Sequence, residues 1–379
     1  MHRIFLYSVI AFVFFYVAGP KAAVIVPAAP KINASSYLVM DFNSGDVLVS
    51  KDPNKRVEPA SLTKIMTVYV AAHELAAGTI HMDDKVHVSE KAWRMPGSRM
   101  FIEVNTEVSV SDLMHGIIVQ SGNDASVALA EYIAGSEDAF TQIMNAYAKK
   151  LGMVNTHYAN ATGLPHADHY TTAMDLARLT RALIRQFPDE YTLHSIKKFT
   201  YNGITQPNRN GLLWRDEGVD GVKTGHTESA GYCLVASAKR DGMRLISVVM
   251  GTDSEEARIN TTQTLLSYAF RFFETHKLYS ANQVIQSGRI WKGDRETIGF
   301  GVNRDIYVTI PRGSYKQLDE KVQLQPTIIA PVNKGDVKGT LKVTLDGKQL
   351  VNKPLIALQS VAEGGFFEQL EDDVRLWFE

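Results

Sequence analysis

The chain has 379 residues, 40 Lys and Arg against 41 Asp and Glu, a formal net charge of −1 and a single cysteine. That length exceeds one typical core and predicts two domains, at roughly 100 to 200 residues each. The charge balance leaves no electrostatic footprint for nucleic acid, and one cysteine excludes an internal disulfide and any zinc cluster built on paired cysteines. With 45% hydrophobic and 21% charged residues the chain can bury a core and is not disordered.

In chain order, Met1, His2 and Arg3 precede an apolar run, Ile4 to Ala18, broken only by Tyr7, Ser8 and Tyr16 and followed by an Ala-rich stretch to Pro30. The run is about 15 residues, short of the roughly 20 a spanning helix needs, so residues 1–29 read as a signal peptide with its cleavage site open. An uncleaved anchor is the alternative. Export follows either way, and Cys233, within the apolar run Tyr232 to Ala236, reads as a buried structural thiol.

Residues 30–275 predict a mixed domain. Strands at Tyr37–Phe42 and Val47–Val49 flank a turn, and Pro59, Ala60 and Ser61 open a helix with Ile65, Met66, Val68, Tyr69 and Ala72 on its apolar face. Further helices are predicted at Val110–Val119, Ala125–Ile133, Phe140–Leu151 and Thr172–Phe187. Strands return at Gly231–Ala238 and Leu245–Met250, before a long helix near Glu255–His276. Residues 276–362 change character to short β-type runs at Asp305–Ile310, Val322–Leu324, Thr327–Ile329, Thr340–Leu345 and Leu355–Leu358, which predict a small all-β sandwich. Residues 363–379 form an amphipathic helix with Phe366, Phe367, Leu370, Val374, Trp377 and Phe378 on one face and acids on the other. It reads either as an interfacial membrane helix or as a helix docked on its own domain.

Ser61–Lys64 and Ser195–Lys198 both match Ser-x-x-Lys, a pattern of which about one copy is expected by chance in a chain of this composition. Ser61 opens a helix, so Lys64 comes round one turn later on the same face. Unpaired N–H groups at a helix start can also bind a developing oxyanion. Ser195 is followed by a strand-and-turn pattern and is the decoy. Alone, Ser61 reads as a helix cap with a solvated lysine. Ser121-Gly122-Asn123 between two predicted helices, and Lys223-Thr224-Gly225 before the strand at Gly231, reverse that, since Lys-Thr-Gly is expected in only about one chain in ten of this length.

With Pro59-Ala60-Ser61-Leu62-Thr63-Lys64, Ser121-Gly122-Asn123-Asp124-Ala125, Asn208-Arg209-Asn210 and Asp220-Gly221-Val222-Lys223-Thr224-Gly225-His226-Thr227, the chain resembles the serine-type D-alanyl-D-alanine carboxypeptidases, the low-molecular-weight penicillin-binding proteins. The resemblance spans essentially the whole chain. It implies an α+β fold: a β-lactamase/transpeptidase-like catalytic domain with an antiparallel sheet and helices, then the β sandwich and a membrane-anchoring helix. It implies removal of the last D-alanine from peptidoglycan stem peptides through a Ser61 acyl-enzyme, covalent inhibition by β-lactam antibiotics, and residence at the outer face of the cytoplasmic membrane.

A serine hydroxyl needs a base, no motif places a histidine for it, and Lys64 must serve. A lysine with an ordinary pKa near 10.4 must then be lowered, by desolvation and by a second cation, for which Lys223 is the candidate. The resemblance implies that Ser121 bridges the two lysines and passes a proton to the leaving amine, and that Asn123 binds the substrate amide. It also implies that Lys223, Thr224, Thr227 and Arg209 hold the terminal carboxylate, and that the N–H groups of Ser61 and His226 form the oxyanion hole. Gly225 is expected to let the strand approach the substrate. No cofactor is expected, nor a metal at His166, Asp168 and His169, which lack a third ligand at a telling spacing. Class A β-lactamases add a deacylating glutamate. Asp168 is the only acid between Ala139 and Met174, so slow release of a penicilloyl adduct is expected. The competing readings are an endopeptidase cutting peptidoglycan cross-links with the same residues and a catalytically idle envelope scaffold.

Overall fold

In the computed structural model, which describes residues 26–378, alternation along the strands decides which core each side chain joins. The expected leader falls outside the described residues as far as residue 25. Strand β1 (Ser36–Asp41) is buried on both faces. Its Leu38 and Met40 enter one apolar core, while Tyr37 and Val39 enter another on the opposite side of the sheet.

After β2 (Val47–Lys51), a 3-10 turn at Ala60–Thr63 leads into α1 (Lys64–Ala76). The next elements are β3 (Lys85–His87), α2 (Glu90–Trp93), β4 (Glu107–Ser109), α3 (Val110–His115), α4 (Asn123–Ala134), α5 (Glu137–Lys150) and α6 (Ala173–Gln186). Side-chain oxygens of Ser136 and Thr172 cap α5 and α6 by accepting the N–H groups of Ala139 and Asp175. Then come α7 (Pro188–Tyr191), the hairpin β5 (Lys198–Tyr201) and β6 (Ile204–Pro207), α8 (Leu212–Arg215), β7 (Val219–Thr227), β8 (Gly231–Arg240), β9 (Met243–Thr252) and α9 (Glu255–Phe272).

The main sheet is antiparallel in the order β2-β1-β9-β8-β7, so the edge strand carrying Lys223 faces the serine turn. Residues of α1, α4, α5 and α6 pack on one face and Leu265, Leu266 and Ala269 of α9 on the other. The α+β architecture expected from the sequence is present. Two helices differ in extent. Val110–Val119 is α3 followed by a π turn, Gly116–Gln120, and the chain then enters the left-handed region at Ser121 (φ 69°). The helix expected to reach His276 stops at Phe272, where Arg312 of the second domain donates to the carbonyls of Phe270 (2.8 Å) and Phe272 (2.9 Å).

The chain continues as β10 (Phe273–Tyr279), β11 (Val284–Arg289), β12 (Thr297–Gly301), β13 (Ile306–Pro311), β14 (Leu318–Leu324), β15 (Val337–Leu345), β16 (Lys348–Ala357) and α10 (Phe366–Leu376). Strand β10 pairs with β13, so the expected division after residue 275 falls inside a strand. The other five strands form a sheet in the order β11-β12-β16-β15-β14, with Val308, Ile310, Leu341, Val343 and Leu355 in the core of this domain. The expected strand at Thr327–Ile329 is reduced to one bridge between Ile329 and Trp291. Hydrogen bonds from Thr275 to Asp41 (2.7 Å) and between Ser44 and Thr309 (2.7 Å) join the domains.

Candidate active site

Three separate stretches meet at the turn that carries Ser61. Ala60 has positive φ (47°), and Gly163 packs so closely on it that a Cβ there would lie 1.8 Å from the Ala60 carbonyl oxygen. Gly225 of β7 packs on the same turn, where a Cβ would meet the Pro59 carbonyl oxygen at 3.1 Å. The close approach that needs glycine at 225 is therefore to the serine turn, where the sequence suggested the substrate.

Lys64, at the start of α1, is fully buried, and its Nζ donates to Ser61 Oγ (3.1 Å), Asn123 Oδ1 (2.7 Å) and the Thr162 carbonyl (2.7 Å). Burial, and after it the Arg209 guanidinium, bring its pKa down to about 7 against the opposing charge of Asp124. Arg209 thus acts on Lys64 as a cation that the sequence did not assign to this task. Lys223 is itself held well below the ordinary lysine range, by burial and then by Lys64, Arg209 and Arg258.

Ser61, Ser121, Arg209, Thr224, Gly225 and His226 line one cavity of about 300 Å³ together with Ser98, Tyr232, Glu255 and Arg258. Ser121 Oγ is buried and has no hydrogen-bond partner among the described residues. It bonds neither lysine: Lys64 Nζ donates to Ser61, Asn123 and the Thr162 carbonyl, and Lys223 Nζ to the Thr224 carbonyl at 3.1 Å. The Asn123 amide accepts from Lys64 and donates to the Pro96 carbonyl (2.6 Å), so it positions the lysine rather than facing the cavity. The Thr227 hydroxyl accepts from the Ala230 N–H (3.0 Å) in the turn between β7 and β8 and lies outside the cavity lining.

Arg258 was missed from the sequence although a signal was present: it sits on the stripe of α9 that includes Thr262, Leu265, Leu266 and Ala269, an arginine on an apolar face. It is 3% exposed, donates to Glu255 (2.7 Å) and reaches the Gly225 carbonyl at 3.4 Å. Asp124 was also missed as an organiser: its carboxylate accepts from the N–H groups of Met100, Phe101, Ile102 and Ala125, which shapes the loop beside Ser98. His169 is committed to the serine turn, within 2.8 Å of Thr63 Oγ1, and burial pushes it down to about 4. Its Nδ1 accepts from the Ala159 N–H at 3.4 Å, so Nε2 carries the proton and donates to Thr63. Ser195 donates to the Thr192 carbonyl, one turn back in a 3-10 segment, and Lys198 opens β5, so the second Ser-x-x-Lys is split between two elements.

The chain that carries this buried lysine on a serine is similar to known proteins. The profile of the D-alanyl-D-alanine carboxypeptidases, peptidase family S11, matches residues 23–254, and that of the penicillin-binding protein 5 C-terminal domain matches residues 273–363. The chain belongs to peptidase family S11. It is 44% identical to the D-alanyl-D-alanine carboxypeptidase DacC of Escherichia coli (strain K12), over 97% of this chain and 94% of that protein. The crystal structure of penicillin-binding protein 5 from Haemophilus influenzae is 43% identical, covers 89% of this chain and all of that one, and superposes with a TM-score of 0.86. Penicillin-binding protein D2 from Listeria monocytogenes, in an ampicillin-bound form, is 30% identical, with a TM-score of 0.59 over 63% of this chain. Ser61, Arg209 and Arg258 line the cavity, while Lys64 is buried beside the serine and Lys223 is buried outside the lining.

Proposed function

We propose that this chain is a serine-type D-alanyl-D-alanine carboxypeptidase acting on peptidoglycan pentapeptide stems. The observation that carries the reading is the fully buried Lys64 amine, 3.1 Å from Ser61 Oγ and lowered to about 7. A neutral Lys64 takes the Ser61 proton as Oγ attacks the carbonyl of the penultimate D-alanine. The N–H groups of Ser61 and His226 hold the oxyanion, and the unpartnered Ser121 hydroxyl passes a proton to the departing D-alanine amine. Water then cleaves the ester, with Lys64 again as base. The substrate carboxylate rests among Arg209, Arg258 and Thr224, which line the cavity, with the buried Lys223 held at the Thr224 carbonyl, and this restricts cleavage to a chain end.

A β-lactam places its own carboxylate and carbonyl in the same positions and acylates Ser61, as the ampicillin-bound relative suggests. With labelled penicillin, wild type forms a covalent adduct and Ser61→Ala forms none; an adduct on Ser61→Ala overturns the reading. Free D-alanine released from monomeric pentapeptide, with cross-linked dimer left intact, separates the carboxypeptidase from an endopeptidase.

Export by the segment 1–29 and attachment to the outer face of the cytoplasmic membrane by α10 belong to the same proposal. Phe366, Phe367, Trp377 and Phe378 are each at least three-quarters exposed, which favours the interfacial reading of this helix. No helix among the described residues is long and apolar enough to cross a membrane.

A further inference from the structure

Away from the catalytic cavity, positive charge collects where the two domains meet. Arg181 and Arg185 are one turn apart on α6, an i,i+4 pair of like charges that repel each other. Arg181 Nε (2.6 Å) and Arg185 Nη2 (3.3 Å) both donate to the Phe42 carbonyl, and Arg181 Nη2 donates to the Asn43 carbonyl at 2.8 Å. Two guanidinium groups therefore converge on one carbonyl oxygen, and the Phe42 ring, 5.2 Å from the Arg185 guanidinium carbon, holds the second in place. Across the junction, Arg304 and Lys353 of the β domain line the same cavity, of about 740 Å³. A second cavity of about 410 Å³ shares Arg304, Ile306 and Lys353 with it.

The acids present do not balance these charges. Asp46 and Asp305 line the cavity, and Asp305 is already held by Lys277 (2.8 Å) and by the Ala281 N–H (2.9 Å). Among the described residues none of the four cations forms an ion pair within 4.0 Å. Burial, Arg185 and Arg304 hold Arg181 below its ordinary value despite the opposing charges of Asp41 and Asp46.

We propose that this junction cavity is a binding site for a phosphate-class anion, held by Arg181 and Arg185 from the catalytic domain and by Arg304 and Lys353 from the β domain. Guanidinium forks match tetrahedral oxyanions, and a phosphate brings close to two negative charges to a site with four cations and one uncommitted acid. The space exceeds what a bare ion fills, so the ligand is a diphosphate or a phosphate ester with an organic part. Because its contacts come from both domains, it fastens one to the other. The phosphate is supplied either by a soluble ester or by a lipid headgroup.

The test uses the full mature chain and inorganic pyrophosphate in calorimetric titration at low salt. Saturable binding is expected, weakened at least about tenfold by Arg304→Ala and by Lys353→Ala, whose side chains are outside the core and whose loss leaves the melting temperature of the unliganded protein unchanged. Arg209→Ala, in the catalytic cavity, is expected to leave pyrophosphate binding intact. Co-sedimentation with phosphatidylglycerol vesicles distinguishes the sources: a loss in Arg304→Ala assigns a lipid headgroup, and unchanged co-sedimentation with lost pyrophosphate binding assigns a soluble phosphate. The proposal is overturned if millimolar pyrophosphate gives no saturable binding, or if binding persists in both variants or disappears in Arg209→Ala.

Discussion

Lys64 keeps three hydrogen-bond acceptors around an amine that must be neutral to work, so its proton is held close to the balance point. Because a protonated Lys64 cannot take the serine proton, the acylation rate rises with pH through about 7. Arg209 favours the neutral amine, so Arg209→Ala makes protonation easier and moves this acidic limb to higher pH. The limb is read from the acylation rate with labelled penicillin across pH, and an unmoved limb would show that Arg209 acts on the substrate alone. Lys64→Ala removes a general base, a loss of about 10²- to 10⁴-fold in the same rate. Glu255 is an exposed carboxylate paired with the buried Arg258 at the cavity wall. In the proposed mechanism it competes with the substrate carboxylate for that guanidinium. Because its carboxylate end is solvent-exposed the pair is worth about 0.2–1 kcal/mol, so Glu255→Gln lowers KM for pentapeptide by ~1.5- to 5-fold with kcat nearly unchanged. A rise in KM would instead assign Glu255 to holding Arg258 in place.

The serine turn is shaped in part by a loop that carries no catalytic side chain. Gly163 has φ of 85°, and an added Cβ would overlap the Ala60 carbonyl, so Gly163→Ala pushes the 60–64 turn away from the loop that holds Lys64. Gly152 is the control: φ is 72° and nothing lies within 4 Å of the added Cβ. Gly152→Ala costs about 1 kcal/mol of stability through its backbone alone, with normal acylation. Gly163→Ala is expected to lose acylation by at least about tenfold as well, since small misplacements of reacting groups are costly. Equal acylation rates in the two variants would show that the turn absorbs the contact. Such contacts explain what was legible in the sequence. The helices α4, α5 and α6 were readable from apolar spacing, and the catalytic trio from rare residue types in a set order. The π turn was not, because Gly116 to Val119 are all buried and continue the apolar run of α3 without a break. Nor was the end of α9, where Leu266, Phe270 and Phe273 keep the helical period and the stop comes from Arg312, some 40 residues further on. The Thr162 carbonyl and the backbone N–H groups on Asp124 act without a side-chain signature of their own.

For the molecule as a whole, α10 combines an exposed aromatic face with an acidic one, and the acids are partly spent within the β domain. Asp372 accepts from Arg289 (2.8 Å) and from the Lys292 N–H (2.6 Å), and Asp373 pairs with the Lys292 side chain. These contacts tie the helix down by its polar face and leave Phe366, Phe367, Leu370, Val374, Trp377 and Phe378 outward. Glu368 and Glu371 remain exposed, with Arg375 paired to Glu371. In the proposed membrane attachment, burial of aromatic area is then the driving force, against residual repulsion from anionic headgroups. The salt dependence that follows is the reverse of a basic anchor's. Raising salt screens the repulsion and strengthens apolar burial, so co-sedimentation with phosphatidylglycerol vesicles increases between low and moderate ionic strength. Trp377→Ser with Phe378→Ser is expected to abolish attachment at every salt concentration while leaving D-alanine release from soluble pentapeptide unchanged. Attachment that weakens as salt is added would place the contact on a cationic surface, with the arginines of the domain junction the first to substitute.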